Sequence, residues 1–384
     1  MQLLSPLVSL IVPIRNSAEH VEPLFQALRR LTFDRSRLEI IVVENNSRDE
    51  TPALLHKAAQ QLCDRIHLIR ERRVTSSYAA RNAGIRVARG EILAFTDADC
   101  RPSPDWLDRL AEGFTSPEIG LVAGEIAAAG GESWIERYAA RWRMLSQVYT
   151  LGHPYCRYAQ TANLAIRRDV FSDIGLFRPE MTSGGDADLC WRALAKSWEL
   201  RFVPEAVVSH HHRTTLQELG KQWRHYGRGQ RHLQDLYGFR VSSARSVVKT
   251  AAALMSSGLL SGARRFTPSD LFLGLWCWHG FVSGTRAVRF ADCNQTSPRL
   301  RLHRTAPEQI SRHEAEGGSA SGRFRPCGSG EQPPVACTPS NAPWPVAPAG
   351  NPPDQNDEVD GAAAQPQRRA GGEASSIELI VDQM

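Results

Sequence analysis

The stretch ILAFTDADC, residues 92–100, joins an apolar run to two acids one residue apart, Asp97 and Asp99. The run ILAFT has the length and the β-branched and aromatic content of a buried strand. Carboxylates avoid such surroundings because burying an unpaired charge costs free energy. We therefore expect the two acids to lie where the strand leaves the sheet.

Three more apolar runs precede this strand and also predict strands. They are LVSLIVP (7–13), LEIIVVEN (38–45) and IHLIR (66–70). Between the first two runs, apolar residues recur at the spacing of a helix, at Val21, Leu24, Phe25, Leu28 and Leu31. This alternation predicts an α/β fold, with a mostly parallel sheet covered by helices on both faces. In such sheets ligands bind beyond the carboxyl ends of the strands.

Composition divides the 384 residues into three parts. Residues 1–215 carry the alternation of strands and helices. Residues 216–290 are predicted to be helical, and their uncharged stretch 271–285 is shorter than the roughly 20 apolar residues of a membrane-spanning helix. A helix in a membrane interface and a buried core helix both remain open. Residues 291–384 hold 12 of the 23 prolines and are predicted to be disordered.

Charge and cysteine usage exclude some classes of protein. A net charge of +5 is a mild basic bias, which argues against a nucleic-acid partner. None of the eight cysteines forms a C-x-x-C pair, so free thiols in a reducing compartment are expected. No glycine-rich phosphate loop or G-x-G-x-x-G follows the first strand, which argues against a nucleotidyltransferase or a dinucleotide oxidoreductase.

Three polar clusters could carry chemistry. Asp97 and Asp99 can converge on one hard cation, Mg²⁺ or Mn²⁺, although a solvated turn can contain the same pattern. SGGDADLCWR (183–192) offers two acids that can complement a helix dipole or include a general base. AVVSHHHR (206–213) ends in three histidines, which can supply a metal ligand or form a polar strand end.

In this order the clusters resemble the family 2 glycosyltransferases, which have the GT-A fold. The resemblance runs from about residue 7 to residue 230. It rests on SLIVPIRN, EIIVVENNSRDET, AARNAGIRVARGEILAFTDAD, TANLAIRRDVFSDIGLF, GGDADLCWR and PEAVVSHHH.

The resemblance implies a donor site. Pro13 and Arg15 would line the nucleotide pocket. Glu44 falls where the family usually has Asp, and would contact the base of the sugar nucleotide. Arg81 would approach the donor, and Asp97 would contact it as well.

The resemblance also implies a metal site and a catalytic base. Asp97 and Asp99 would hold Mg²⁺ or Mn²⁺, with His210 as a later ligand and His212 as its alternative. Asp186 matches the family's base.

Two positions close to this base, 185 and 188, bear on how substrate is held. Asp188, two residues further on, is expected to contact substrate. Many members have Glu-Asp where this chain has Gly185-Asp186, which leaves the handling of the acceptor open.

The function implied is metal-dependent, inverting transfer of a sugar from a nucleotide-diphosphate sugar to a hydroxyl acceptor in one displacement. The acceptor would be a glycan, a lipid or a polysaccharide precursor of the cell envelope. The expected location is the cytoplasm, where the family's bacterial members find their donors, with peripheral contact at the inner face of the membrane as an option. The alternative is a membrane-associated nucleotide-sugar-binding or scaffold protein without catalysis.

Overall fold

The computed structural model describes residues 8–60, 66–152, 157–238 and 268–286. The strands are β1 (Val8–Ile14), β2 (Leu38–Glu44), β3 (Ile66–Arg70), β4 (Ile92–Thr96), β5 (Cys100–Pro102), β6 (Ile119–Ala128), β7 (Asn163–Arg167) and β8 (Glu199–His210). The helices are α1 (Ala18–Arg29), α2 (Thr51–Ala59), α3 (Ser77–Val87), α4 (Trp106–Glu112), α5 (Trp134–Arg141), α6 (Gln147–Leu151), α7 (Arg168–Ile174), α8 (Gly185–Ala195), α9 (Leu216–Tyr237) and α10 (Pro268–Arg286).

The strands form one sheet in the order β3-β2-β1-β4-β7-β6-β8-β5. The strands from β1 to β4 are parallel to one another, as are β6 and β8. Strand β7 is antiparallel to both β4 and β6, and β5 is antiparallel to β8. The predicted α/β class with a mostly parallel sheet is therefore confirmed, with antiparallel pairings in its second half.

Each face of the sheet carries its own hydrophobic core. Neighbouring residues of β1 alternate between them, so Val12 packs with α1, α2 and α4 while Ile11 packs with α3, α7 and α8. The first residues of α3 and α5 are preceded by serine caps, Ser76 and Ser133. Cover on both faces leaves the ends of the strands as the accessible part of the sheet.

Two long helices follow the sheet, as predicted for the C-terminal region. Helix α10 packs closely along α9 because glycines leave room for backbone contact. A Cβ atom on Gly284 would lie 2.1 Å from the carbonyl oxygen of Arg224, and one on Gly227 would lie 2.0 Å from that of Phe281. In the described part of the chain, no helix has both the length and the apolar content needed to cross a membrane.

Some predictions fall on residues that the structure does not describe. The predicted disordered segment 291–384 lies outside the described residues. So do five of the eight cysteines. The three cysteines within the described ranges, Cys100, Cys190 and Cys277, are buried free thiols.

Candidate active site

The Asp-x-Asp turn lies at the carboxyl end of β4, where the sequence predicts it. Strand β4 ends at Thr96 and β5 begins at Cys100, so Asp97 and Asp99 occupy the tight connection between them. The backbone N–H of Cys100 donates to the carbonyl oxygen of Asp97 over 3.1 Å, which closes the turn. Both acids are half-buried. The apolar run belongs to the sheet, and its acids emerge at the open edge.

Arg81 on α3 holds the first acid of the turn. Its Nη2 donates to Asp97 Oδ1 over 2.5 Å, and its guanidinium lies 5.5 Å from the centre of the Tyr78 ring. Burial raises the pKa of Asp97, and the charges of Asp99 and Asp186 raise it further, while Arg81 opposes them. Asp97, Asp99 and Asp186 are therefore close enough to act on one another.

Asp186 lies in the first turn of α8 and is oriented by a neighbouring loop. Thr161 donates to its carboxylate twice, from the backbone N–H over 3.2 Å and from the hydroxyl over 3.1 Å. The residue before it, Gly185, donates its N–H to the Tyr78 hydroxyl over 3.0 Å. A Cβ atom on Gly185 would lie 2.7 Å from Tyr78 Cζ, so the glutamate that many family members have here would collide with this ring.

His210 reaches Asp99 because β5 and β8 pair at the edge of the sheet. His210 lies opposite Cys100 in that pairing, and its Nε2 is 3.4 Å from Asp99 Oδ1. Arg213 approaches the other oxygen of Asp99 at 3.5 Å. Burial alone would raise the pKa of Asp99, but His210, Arg213 and His20 together outweigh it and lower that pKa.

Asp99 and His210 form a donor set that fits a divalent cation. Ligand atoms of Asp99, Cys100 and His210 all lie within 4.8 Å of one another. Burial raises the pKa of the Cys100 thiol well above its usual value, so it stays protonated and is a poor ligand for a hard cation. His210 Nδ1 is buried without a hydrogen-bond partner among the described residues. Asp97, by contrast, already has Arg81 as a partner.

Asp188 is set apart from this cluster. It is fully buried, and its carboxylate is enclosed by Arg178 at 3.1 Å, Arg192 at 2.8 Å and the Tyr237 hydroxyl at 2.7 Å. These contacts join α8 to α9 and to the loop before α8. The structure therefore surrounds Asp188 with protein groups and leaves Asp186 at the open side of the helix.

The residues predicted for the nucleotide pocket lie at the ends of β1 and β2. Pro13 is buried in β1, and Arg15 is exposed directly after it. Glu44 is buried at the end of β2, where one oxygen accepts the N–H of Ser47 over 2.5 Å and the other lies 3.6 Å from Arg70 Nε. These residues share the carboxyl edge of the sheet with Asp97, one and two strands away from β4.

Sequence reasoning missed two residues at this site. Thr161 orients Asp186, and its position two residues before the strand NLAIR was the available signal. Tyr226 comes from α9, and its hydroxyl accepts a hydrogen bond from Gln222 over 2.9 Å. Burial raises the pKa of Tyr226 to about 12, and the charges of Asp99 and Asp186 add to the shift. No spacing rule connects a distant helix to this cleft.

Comparison with known proteins agrees with the geometry. The family model described as Glycosyl transferase family 2 matches residues 9–175. Glycosyltransferase AglE of Haloferax volcanii is 34% identical over 227 residues, which cover 59% of this chain and 73% of that protein. The chain belongs to glycosyltransferase family 2. This membership carries the GT-A fold and an enzymatic activity of sugar transfer.

More distant relatives of this glycosyltransferase differ in length and sequence. This chain is 31% identical to the pre-mycofactocin glycosyltransferase of Mycobacterium tuberculosis over 299 residues, which cover 76% of this chain and 59% of that protein. A solved structure, the mannosyltransferase PcManGT of Pyrobaculum calidifontis in complex with GDP-Man and Mn²⁺, matches at 18% identity. That match covers 74% of each chain with a TM-score of 0.48.

Proposed function

We propose that this glycosyltransferase moves a sugar from a nucleotide-diphosphate sugar to a hydroxyl acceptor, with inversion at the anomeric carbon. One line of contacts supports the proposal by linking the acids of the Asp-x-Asp turn to the segment of Asp186. Arg81 bonds Asp97 at 2.5 Å and lies over the ring of Tyr78, whose hydroxyl bonds the N–H of Gly185 at 3.0 Å. Asp97 and Asp186 thus have different surroundings, while Arg81 and Tyr78 connect the segments that carry them.

The donor side of the cleft would be formed by Asp97, Asp99 and His210. Asp99 and His210 would hold Mg²⁺ or Mn²⁺. When bound, such a cation stabilises the negative charge that develops on a departing diphosphate. Arg81 keeps Asp97 in place beside Asp99, and Pro13, Arg15 and Glu44 would receive the nucleoside.

Asp186 would act on the acceptor side. Its two hydrogen bonds from Thr161 orient the carboxylate, which is half-buried and accessible to an incoming hydroxyl. It would take the hydroxyl proton as the acceptor oxygen bonds to the anomeric carbon and the bond to the diphosphate breaks. A positioned base contributes about 10²–10⁴-fold to the rate. Attack opposite the leaving group inverts the sugar.

The acceptor and the cellular setting extend the same proposal. A lipid-linked acceptor and peripheral contact with the inner face of the membrane are supported by exposed aromatic side chains on α5 and α10. Trp134 and Phe272 have ring centres 6.0 Å apart, and Phe272 stacks on Trp276 at 6.2 Å. Aromatic rings of this kind favour the boundary between lipid and water.

The test of the base is the variant Asp186→Asn. Sugar transfer should fall by about 10²–10⁴-fold, because the amide cannot accept the proton. Binding of the nucleotide diphosphate in Mn²⁺ should not change. Asp169→Asn, which alters an exposed first-turn acid of α7, is the matched control and should keep full activity. A normal rate of transfer by Asp186→Asn, or a product with retained configuration by NMR, would contradict the proposal.

The metal is tested separately by chelation. Removing divalent cations with EDTA should abolish transfer, and Mn²⁺ or Mg²⁺ should restore it, because Asp99 without a cation repels the diphosphate. His210→Phe should raise the concentration of Mn²⁺ needed for half-maximal activity. Full transfer in EDTA would remove the cation from the proposal. Donor binding without any transfer would favour the scaffold alternative.

A further inference from the structure

One face of α9 runs along the segment that carries Asp186. Every fourth residue of this face touches the stretch from Thr182 to Asp188. These residues are His225, Gly229, Leu233 and Tyr237. A spacing of four keeps side chains on one side of a helix, so the contacts form a continuous line.

The contacts at the start of this line are made to the backbone. His225 Nε2 hydrogen bonds the carbonyl oxygen of Thr182. Gly229 lies so close to the chain that a Cβ atom there would be 2.5 Å from the carbonyl oxygen of Ser183. Leu233 covers Gly184, whose φ of 79° is a left-handed conformation that favours glycine.

The end of the line is a hydrogen bond to a carboxylate. The Tyr237 hydroxyl donates to Asp188 over 2.7 Å, and Arg192 of α8 binds the same carboxylate. Asp186 thus lies between a backbone contact before it and the Tyr237–Asp188 hydrogen bond after it, and α9 supplies both.

Helix α9 is itself held from another side. Its contacts with α10 use Gly220, Arg224 and Gly227, which belong to a different face from the residues that touch the Asp186 segment. Contacts with α10 therefore hold α9 in place, and α9 in turn fixes the position of the segment that carries Asp186. The segment needs such support because Gly184 and Gly185 are consecutive and permit many backbone conformations.

We propose that α9 is a clamp that positions Asp186, with His225 and Gly229 as its positioning residues. The proposal rests on the role of Asp186 as the base. The clamp sets the distance from this carboxylate to the acceptor hydroxyl, and a displacement of about 1 Å can cost a rate factor of about 10². Asp99 lies in the turn between β4 and β5, and His210 ends β8, so neither of these donor-side residues belongs to the clamp.

The first experiment compares glycine variants of the two C-terminal helices. Gly229→Ala forces the backbone of Ser183 to move, so kcat should fall at least about 10-fold while the KM for the donor stays within about twofold. Gly227→Ala, on the face toward α10, should lower the melting temperature but keep kcat within about threefold. Gly274→Ala has no neighbour closer than 3.7 Å and should match the wild type.

The outcomes distinguish a specific effect on the position of Asp186 from a general loss of stability in the C-terminal helices. Equal losses of kcat in Gly229→Ala and Gly227→Ala would overturn the proposal, as would a parallel loss of donor affinity in Gly229→Ala. If Gly229→Ala transferred sugar at the wild-type rate, the clamp would be rejected, but the proposed function would stand. A wild-type protein that transfers no sugar, or an active Asp186→Asn, would instead reject the proposed function.

The second experiment keeps the backbone unchanged. His225→Leu removes the hydrogen bond to Thr182 and should lower kcat by about 10-fold. His225→Gln offers an amide N–H in a similar position and should restore kcat to within about threefold of the wild type. Equal activity of the leucine and glutamine variants would overturn the role of His225.

Discussion

Arg81 and Asp97 form an ion pair that a single substitution can break. Arg81 is buried on α3, and Asp97 keeps some contact with solvent. Arg81→Met should lower the free energy of unfolding by about 2–3 kcal/mol, because it leaves a largely buried carboxylate without its cation. Arg86→Met, an exposed position on the same helix, is the control and should change stability by about 0.5 kcal/mol or less. Equal stability of the two variants by urea denaturation would contradict the prediction.

The two acids after Ser183 show what the sequence could not resolve at the level of residues. Asp186 and Asp188 form a second Asp-x-Asp pattern, and the letters alone do not separate them. The first pattern lies in a turn between strands. The second lies in α8, where residues two apart point about 200° away from each other. One acid, Asp186, therefore stays partly exposed while the other, Asp188, turns into the protein, and the position at which the helix starts decides which.

The close contact between α9 and α10 yields a prediction about stability. Gly284→Ala would place a methyl group 2.1 Å from the carbonyl oxygen of Arg224, a backbone atom that cannot move alone. Such overpacking costs about 1–3 kcal/mol. Thermal denaturation should show a lower melting temperature than for Gly274→Ala, whose methyl group has 3.7 Å of room. An unchanged melting temperature for Gly284→Ala would mean that the two helices pack less closely.

The elements differ in how well the sequence predicts them. Strands β1, β2 and β4 follow from their apolar runs, because a strand buried on both faces reads as continuous hydrophobicity. Strand β3 lies at the edge of the sheet, and its shorter run includes His67 and Arg70. The antiparallel insertion of β7 between β4 and β6 depends on contacts between distant segments, which no local pattern encodes. Strand β5 has three residues, too few to show a period.

At the scale of the molecule, the histidines predict how stability depends on pH. Six of them have a pKa below the usual value, with burial as the largest cause: His20, His56, His211, His212, His225 and His232. Below about pH 6.5 the unfolded chain therefore binds more protons than the folded one, and stability falls as the pH falls. We expect the free energy of unfolding to fall between pH 7 and pH 5, and His212, whose pKa burial lowers to about 4, should contribute about 1–2 kcal/mol of the loss.

Urea denaturation in EDTA at several pH values measures this loss without interference from a bound cation. His225→Gln should reduce the slope of stability against pH, because one titrating group is removed. Constant stability from pH 7 to pH 5, or a gain on acidification, would contradict the prediction.

The pairing of β5 with β8 has a consequence for biosynthesis. Asp99 leaves the ribosome long before His210, and residues 100–210 must follow before the last long strand can bring the imidazole to the carboxylate. Since chains emerge from the N-terminus, the first four strands can associate early while the cation ligands are still incomplete. A nascent chain stalled just after Asp99 would thus already hold Asp97 beside Arg81, while His210 and Arg213, which contact Asp99, are still to be translated.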